Sequence, residues 1–124
     1  MKKTLLLSVL LALSAGAAFA ADFPTGTYEA KGTPITVSFD DKGQFHVNKG
    51  ETLEVTGTYS VKSGELQLTD SQGPWACTKA GWQTGVYAWK YENAALTFSK
   101  VADKCEERVN SLVKLAWKLQ KQAP

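Results

Sequence analysis

The strongest constraint in this chain is an alternation of apolar and polar residues, repeated from segment to segment with short turns between. Tyr28 stands in the first short segment, and Ile35, Val37 and Phe39 then alternate with Thr36 and Ser38. Phe45 and Val47 alternate with Gln44, His46 and Asn48, and Leu53, Val55, Gly57, Tyr59 and Val61 with Glu54, Thr56, Thr58, Ser60 and Lys62. The same pattern carries Leu66 and Leu68, then Tyr87, Trp89 and Tyr91, then Leu96 and Phe98, then Val113, Leu115, Trp117 and Leu119. A period of two is a strand with one dry and one wet face. Asp40-Asp41-Lys42-Gly43, Lys62-Ser63-Gly64 and Glu92-Asn93 read as turns, and links this short pair consecutive strands antiparallel.

Counting the segments gives eight strands. A sandwich needs longer crossovers, whereas hairpin-length links favour a closed meander, which also removes exposed sheet edges. The expectation is therefore all-β: an eight-stranded antiparallel up-and-down barrel with a short helical turn before the last strand. Two segments interrupt the meander. Asp70 to Thr84 is a longer loop with Pro74, Trp75 and Cys77, and Ala102 to Ser111 reads as one or two helical turns with Asp103 as N-cap. Gln120 to Pro124 reads as a polar tail.

Residues 1–20 have a different character. A basic start, Met1-Lys2-Lys3, precedes an apolar run from Leu5 to Leu13 broken only by Ser8, and Ala18-Phe19-Ala20 is a small-x-small cleavage site. This is a secretory signal of bacterial type, too short for a spanning helix. With no cysteine at the cleavage point, a lipid anchor is disfavoured. The reading is a single domain over residues 21–124, monomeric, periplasmic or secreted, without a membrane segment once the signal is removed. The whole chain has 14 basic and 12 acidic residues, and Lys2 and Lys3 leave with the signal, so 14 minus 2 balances 12. A neutral mature chain lacks the basic patch that nucleic acid requires.

About a hundred residues support one modest core. In an exported chain, Cys77 and Cys105, the only cysteines, are expected to pair. In the chain-entropy account such a loop stabilises by roughly 3–4 kcal/mol.

Several motifs recur in a fixed order: Gly26-Thr27-Tyr28, Gly57-Thr58-Tyr59, Gly73-Pro74-Trp75-Ala76-Cys77, Gly85-Val86-Tyr87-Ala88-Trp89, Leu96-Thr97-Phe98, Asp103 to Arg108, and Trp117. As a set they resemble small exported bacterial lipocalin-like proteins over nearly the whole mature chain. The resemblance implies an eight-stranded calycin-type barrel and little about activity. Larger lipocalins begin with Gly-x-Trp, and an arginine packs on that tryptophan to close the barrel base. Here Tyr28 stands in place of the tryptophan, and Arg108 precedes the last strand.

Catalysis finds no carrier in the sequence. His46, the only histidine, shares the wet face with Gln44 and Asn48, and one histidine makes neither a triad nor a metal cage. The alternation places no pair of acids inside a pocket, as acid/base hydrolysis would need. Asp40 to Gly43 has too few ligands for calcium, and no glycine-rich phosphate loop is present. No enzyme activity, metal or cofactor is expected.

The candidate ligand-binding residues are Tyr59, Tyr87, Trp89, Tyr91, Phe98 and Trp117, on expected inward faces, together with Arg108, the single arginine. Eight strands enclose a space that side chains just fill or that holds one small ligand, and both readings stand. Arg108 either stacks on Trp75, Trp117 or Tyr28 or pairs with Asp103, and its role is that of a barrel-end plug, the anchor of an anionic head group or an exposed side chain. Trp75 and Trp82, in the long loop, cover the barrel mouth or form a patch for a protein partner. The leading function is non-catalytic binding of a small apolar or aromatic molecule. The alternative is a protein-binding module, such as an inhibitor of an exported enzyme, acting through residues 70–84.

Overall fold

The structure, a computed structural model, describes residues 23–122. The expected signal segment, residues 1–20, lies outside the described residues. The order is β1 (Gly26–Ala30), β2 (Ile35–Phe39), β3 (Gln44–Lys49), β4 (Thr52–Lys62), β5 (Glu65–Gln72), β6 (Thr84–Glu92), β7 (Ala95–Ala102), α1 (Glu106–Val113) and β8 (Trp117–Gln122). Each strand pairs antiparallel with the next, and β8 returns to β1, so the sheet closes into an eight-stranded barrel. The expected fold class is the one observed.

Because the chain is a meander, its connections alternate between two ends. The turns at residues 40–43, 63–64 and 93–94 lie at one end, called here the turn end. The turn at 31–34, the turn at 50–51, the loop 73–83 and α1 lie at the other. Asp40 Oδ1 shapes the first of these turns by accepting the N–H groups of Lys42 and Gln44, both at 2.8 Å. That carboxylate is an Asx-turn element.

Rings fill the turn end. Phe23 packs edge-on against Phe39 at 4.9 Å and Trp89 at 5.1 Å, with Tyr59 at 5.6 Å. Such pairs add about 0.5–1.5 kcal/mol each beyond the area they bury. The Tyr59 hydroxyl donates to the Asp40 carbonyl and the Tyr28 hydroxyl to the Pro24 carbonyl. The rings thereby bind the first turn and the leading segment to the wall. Desolvation, with Asp40 and Asp41 nearby, pushes the Tyr59 phenol up to about 12, so it is a donor at neutral pH.

Several local expectations are corrected. The apolar alternation from Val113 to Leu119 is not one strand: α1 runs through Val113, and β8 begins at Trp117. Helical spacing wins there because Arg108 and Leu112, four residues apart, turn inward together. The N-cap is Cys105, without a side-chain cap bond. Asp103 instead accepts the Cys105 N–H at 2.8 Å, just before the helix. Leu53 is exposed and Glu54 buried, because a bulge between Val47 and Asn48 slips the β3–β4 register. Gln120 to Gln122 is not tail but strand, paired with β1. Asp70 to Gln72 belongs to β5 and not to the loop.

The seam between β7 and β8 is thin. Among the described residues only Ala95–Lys118 and Leu96–Trp117 pair across it, and α1 also packs on β7.

Candidate functional site

At the α1 end the interior does not fill. A cavity of ≈ 300 Å³ is walled by Ile35, Val37, Phe45, Val47, Val55 and Leu68, with Trp117 on the β8 side. Trp75 from the loop and Glu107, Ser111 and Leu112 from α1 close over it, and Asp70 and Arg108 complete the lining. Trp75, Glu107 and Ser111 are themselves exposed, so the cavity reaches solvent beside the helix. Trp117 is held in place as its indole N–H donates to the Leu112 carbonyl at 3.2 Å. Phe45 lies across from Gly57 on β4, and a Cβ at Gly57 would stand 2.6 Å from the ring. Glycine at that position lets the ring lie over the strand.

Beside the cavity lies a buried ionic cluster. Arg108 Nε donates to Asp103 Oδ2 and NH2 to Asp103 Oδ1, both at 2.7 Å, a two-pronged clamp. NH2 also donates to the Trp82 carbonyl at 2.8 Å and NH1 to the Gln83 carbonyl at 3.1 Å. NH1 further lies 3.0 Å from Asp70 Oδ2. The Tyr87 hydroxyl donates to Asp103 Oδ2. Gly85 makes this possible: a Cβ there would meet the Asp103 carboxyl carbon at 2.6 Å. The Cys77–Cys105 disulfide, with Cα atoms 6.4 Å apart, joins the same loop to the start of α1. Lid and loop are thus fastened twice, by sulfur and by guanidinium.

The charges respond to this packing. Burial alone would raise the Asp103 carboxyl, but hydrogen bonds from Arg108, Tyr87 and the Cys105 N–H outweigh it and hold the group below its usual range. Burial dominates at Asp70 and raises it, against lowering by the Cys77 N–H and Arg108. Desolvation and the Asp103 carboxylate push the Tyr87 phenol well above its ordinary value. Burial works against the Arg108 charge, yet Asp103 and Asp70 raise its pKa further.

The expected ligand-facing residues separate in space. Trp117 and Arg108 line the cavity. Tyr59 and Trp89 belong to the aromatic packing at the turn end. Tyr87 and Phe98 pack on one another at 6.3 Å. Tyr91 is 38 % exposed, because β6 outruns the wall. Of the loop tryptophans, Trp75 roofs the cavity, whereas Trp82 lies outside it with Lys79 Nζ 4.4 Å above its ring. Arg108 pairs with Asp103, one of the two expected arrangements, and adds Asp70. His46 is exposed, as expected.

Two acids are nonetheless buried together, the side chains of Asp70 and Asp103 being 3 % and 0 % exposed, and of the two Asp70 lines the cavity. A signal for Asp70 existed: it stands in phase with Leu66 and Leu68, so β5 aims it inward. Among the described residues no group of three or more His, Cys, Asp or Glu side chains is placed to hold a metal ion, and no helix is long and apolar enough to cross a membrane.

Comparison with known proteins adds little. No family model matches the chain, and no solved structure matches it. The iron-sulfur cluster assembly protein CyaY from Vibrio vulnificus, strains YJ016 and CMCP6, is 35 % identical to it over 54 residues, 44 % of this chain and 51 % of that protein. The chain thus spans about half the length of the curated relatives it matches, and the similarity is one of partial sequence.

Proposed function

We propose that this is an exported, non-catalytic binding protein that carries or senses a small apolar or aromatic molecule in the α1 end of its barrel. The observation that supports this reading is the ≈ 300 Å³ cavity with aliphatic and aromatic walls. That is the lower end of the size of small-molecule sites, and it combines apolar walls with a few convergent polar groups as such sites do. The disulfide and the N-terminal signal pattern favour an oxidising compartment outside the cytoplasm. Arg108, Asp103 and Tyr87 engage one another, so these three groups are not free to act on a bound molecule.

Trp75 and Trp117 both line the cavity, so intrinsic fluorescence reads its occupancy. Titration with a fluorescent hydrophobic probe such as N-phenyl-1-naphthylamine is expected to saturate and to quench tryptophan emission. A flat titration across a broad panel of apolar probes would sink the proposal.

One observation favours a second reading, that of a protein-binding loop. Trp82 is 37 % exposed and outside the cavity, while its carbonyl is pinned by Arg108, so the loop presents an aromatic side chain from a fixed backbone. Trp82→Ala is then expected to abolish capture of an exported partner while leaving probe binding intact; unchanged capture removes this reading.

A further inference from the structure

The polar corner of the cavity has a definite chemical sense. Asp70 is one of the lining residues, and its side chain is 3 % exposed. Its Oδ2 is engaged, accepting the Cys77 N–H at 2.8 Å and facing Arg108 NH1 at 3.0 Å. Its Oδ1 is buried and has no hydrogen-bond partner. A buried carboxylate oxygen without a donor is unfavourable, so a donor that reaches it gains more than the same donor gains in water.

The cation beside it is not available for the opposite role. Arg108 gives both prongs of its clamp to Asp103, donates to the Trp82 and Gln83 carbonyls, and turns its remaining contact to Asp70. A guanidinium has five N–H groups, and this one has none to offer a ligand anion. The local charge points the same way. One guanidinium faces two carboxylates, and Glu107 stands at the cavity edge. A ligand carboxylate would enter a corner that is already negative, where solvent screens little.

We infer that the ligand carries a hydrogen-bond donor on its apolar body, a hydroxyl or an amine and not a carboxylate, and that Asp70 Oδ1 accepts from it; this rests on the carrier reading above. Asp70 thereby sets specificity, and the aliphatic walls set affinity. Arg108 acts as a positioning residue, holding the Asp70 carboxylate with one oxygen turned to the ligand.

The test is competition against bound N-phenyl-1-naphthylamine with probes of matched size. Octan-1-ol and heptyl methyl ether are isomers, one a donor and one acceptor-only, and the ether is the less water-soluble. Octylammonium and octanoate differ in the sign of the head group. The wild-type protein is expected to bind octan-1-ol about tenfold more tightly than the ether, since a site built for a donor rejects the analogue lacking it. Octylammonium is expected to exceed octanoate by a larger factor, and Asp70→Asn to shrink that factor with the reporter still bound. Equal affinities for the alcohol and the ether, or octanoate as the tightest ligand, overturn donor recognition while the carrier reading stands. Failure of the reporter itself to bind overturns the carrier reading and this inference with it. Should Asp70→Asn fail to fold, the wild-type ranking decides alone.

Discussion

At the turn end of the barrel, Phe23, Phe39, Tyr59 and Trp89 fill the interior with rings set edge to face. At the α1 end, the walls are mostly shorter aliphatics round a space of ≈ 300 Å³, under a roof of helix and loop tied by ions and a disulfide. The difference teaches how a small barrel can be both stable and hollow. Close packing of rings, with two tyrosine hydroxyls bonded to the backbone, holds one end. The other end gives up contacts to keep its space, and polar and covalent ties hold its cover in place.

The largest effect is expected where the cover is tied. Arg108→Ala strands two buried carboxylates and is expected to destabilise by about 3–5 kcal/mol, read as the shift in a urea unfolding midpoint. Arg108→Lys is expected to rescue little, because one ammonium cannot reproduce the planar clamp on Asp103. A loss under about 1 kcal/mol for Arg108→Ala would mean that the cluster behaves as a surface pair and that the comparison of ends fails. Next comes the covalent tie: Cys77→Ala with Cys105→Ala is expected to cost about 2–4 kcal/mol by the same measurement, with the secondary structure kept in far-ultraviolet circular dichroism.

A matched pair of enlargements probes the two interiors directly. Leu66→Phe puts extra volume beside Tyr87 and Val61 in the packed wall, where overpacking is expected to cost about 1–3 kcal/mol. Val47→Phe puts it into the cavity and is expected to change stability by less than about 1 kcal/mol while abolishing probe binding. Equal costs at the two sites would show that the α1 end is as tightly packed as the other.

The smallest effect is a change of slope with pH. Asp103 titrates lower in the folded chain than its ordinary 3.8, so its contribution is present above that value and is lost as pH falls through the folded one. Asp70 titrates higher than 3.8, so its contribution is greatest below that value and declines as pH rises through its folded one. The stability gap between the wild type and Asp103→Asn is therefore expected to narrow on acidification below 3.8. Parallel curves would remove Asp103 from the account.

How much of this was legible in the sequence depends on the range of the interaction. Strand identity, meander order and closure follow from a period of two and from turn chemistry, both local. The slipped phase at Leu53 was not legible, because a bulge is a compromise between two strands and leaves no mark on either alone. Val113 and Leu115 misled because an apolar residue at every second position also places residues four apart, as a helix needs. At the site, Asp70 was visible in phase with Leu66 and Leu68, and Gly85 and Tyr87 were visible as a motif. That they serve Asp103 and Arg108 was not, since those partners arrive from a later part of the chain and meet only once the barrel is closed.

The thin β7–β8 seam gives α1 a second duty. From Thr97 to Ala102, β7 has β6 on one side and, among the described residues, no strand on the other, and Val101 is 49 % exposed. A bare strand edge is a template for another chain. α1 packs against β7, and Lys100 adds a charge to its exposed end. The element that roofs the cavity is therefore expected also to hinder one copy of the chain from adding to the next. Reducing the disulfide and loosening α1 is expected to bring on edge-to-edge association, visible as larger species in size-exclusion chromatography, and a reduced protein that elutes unchanged would argue against this guarding role.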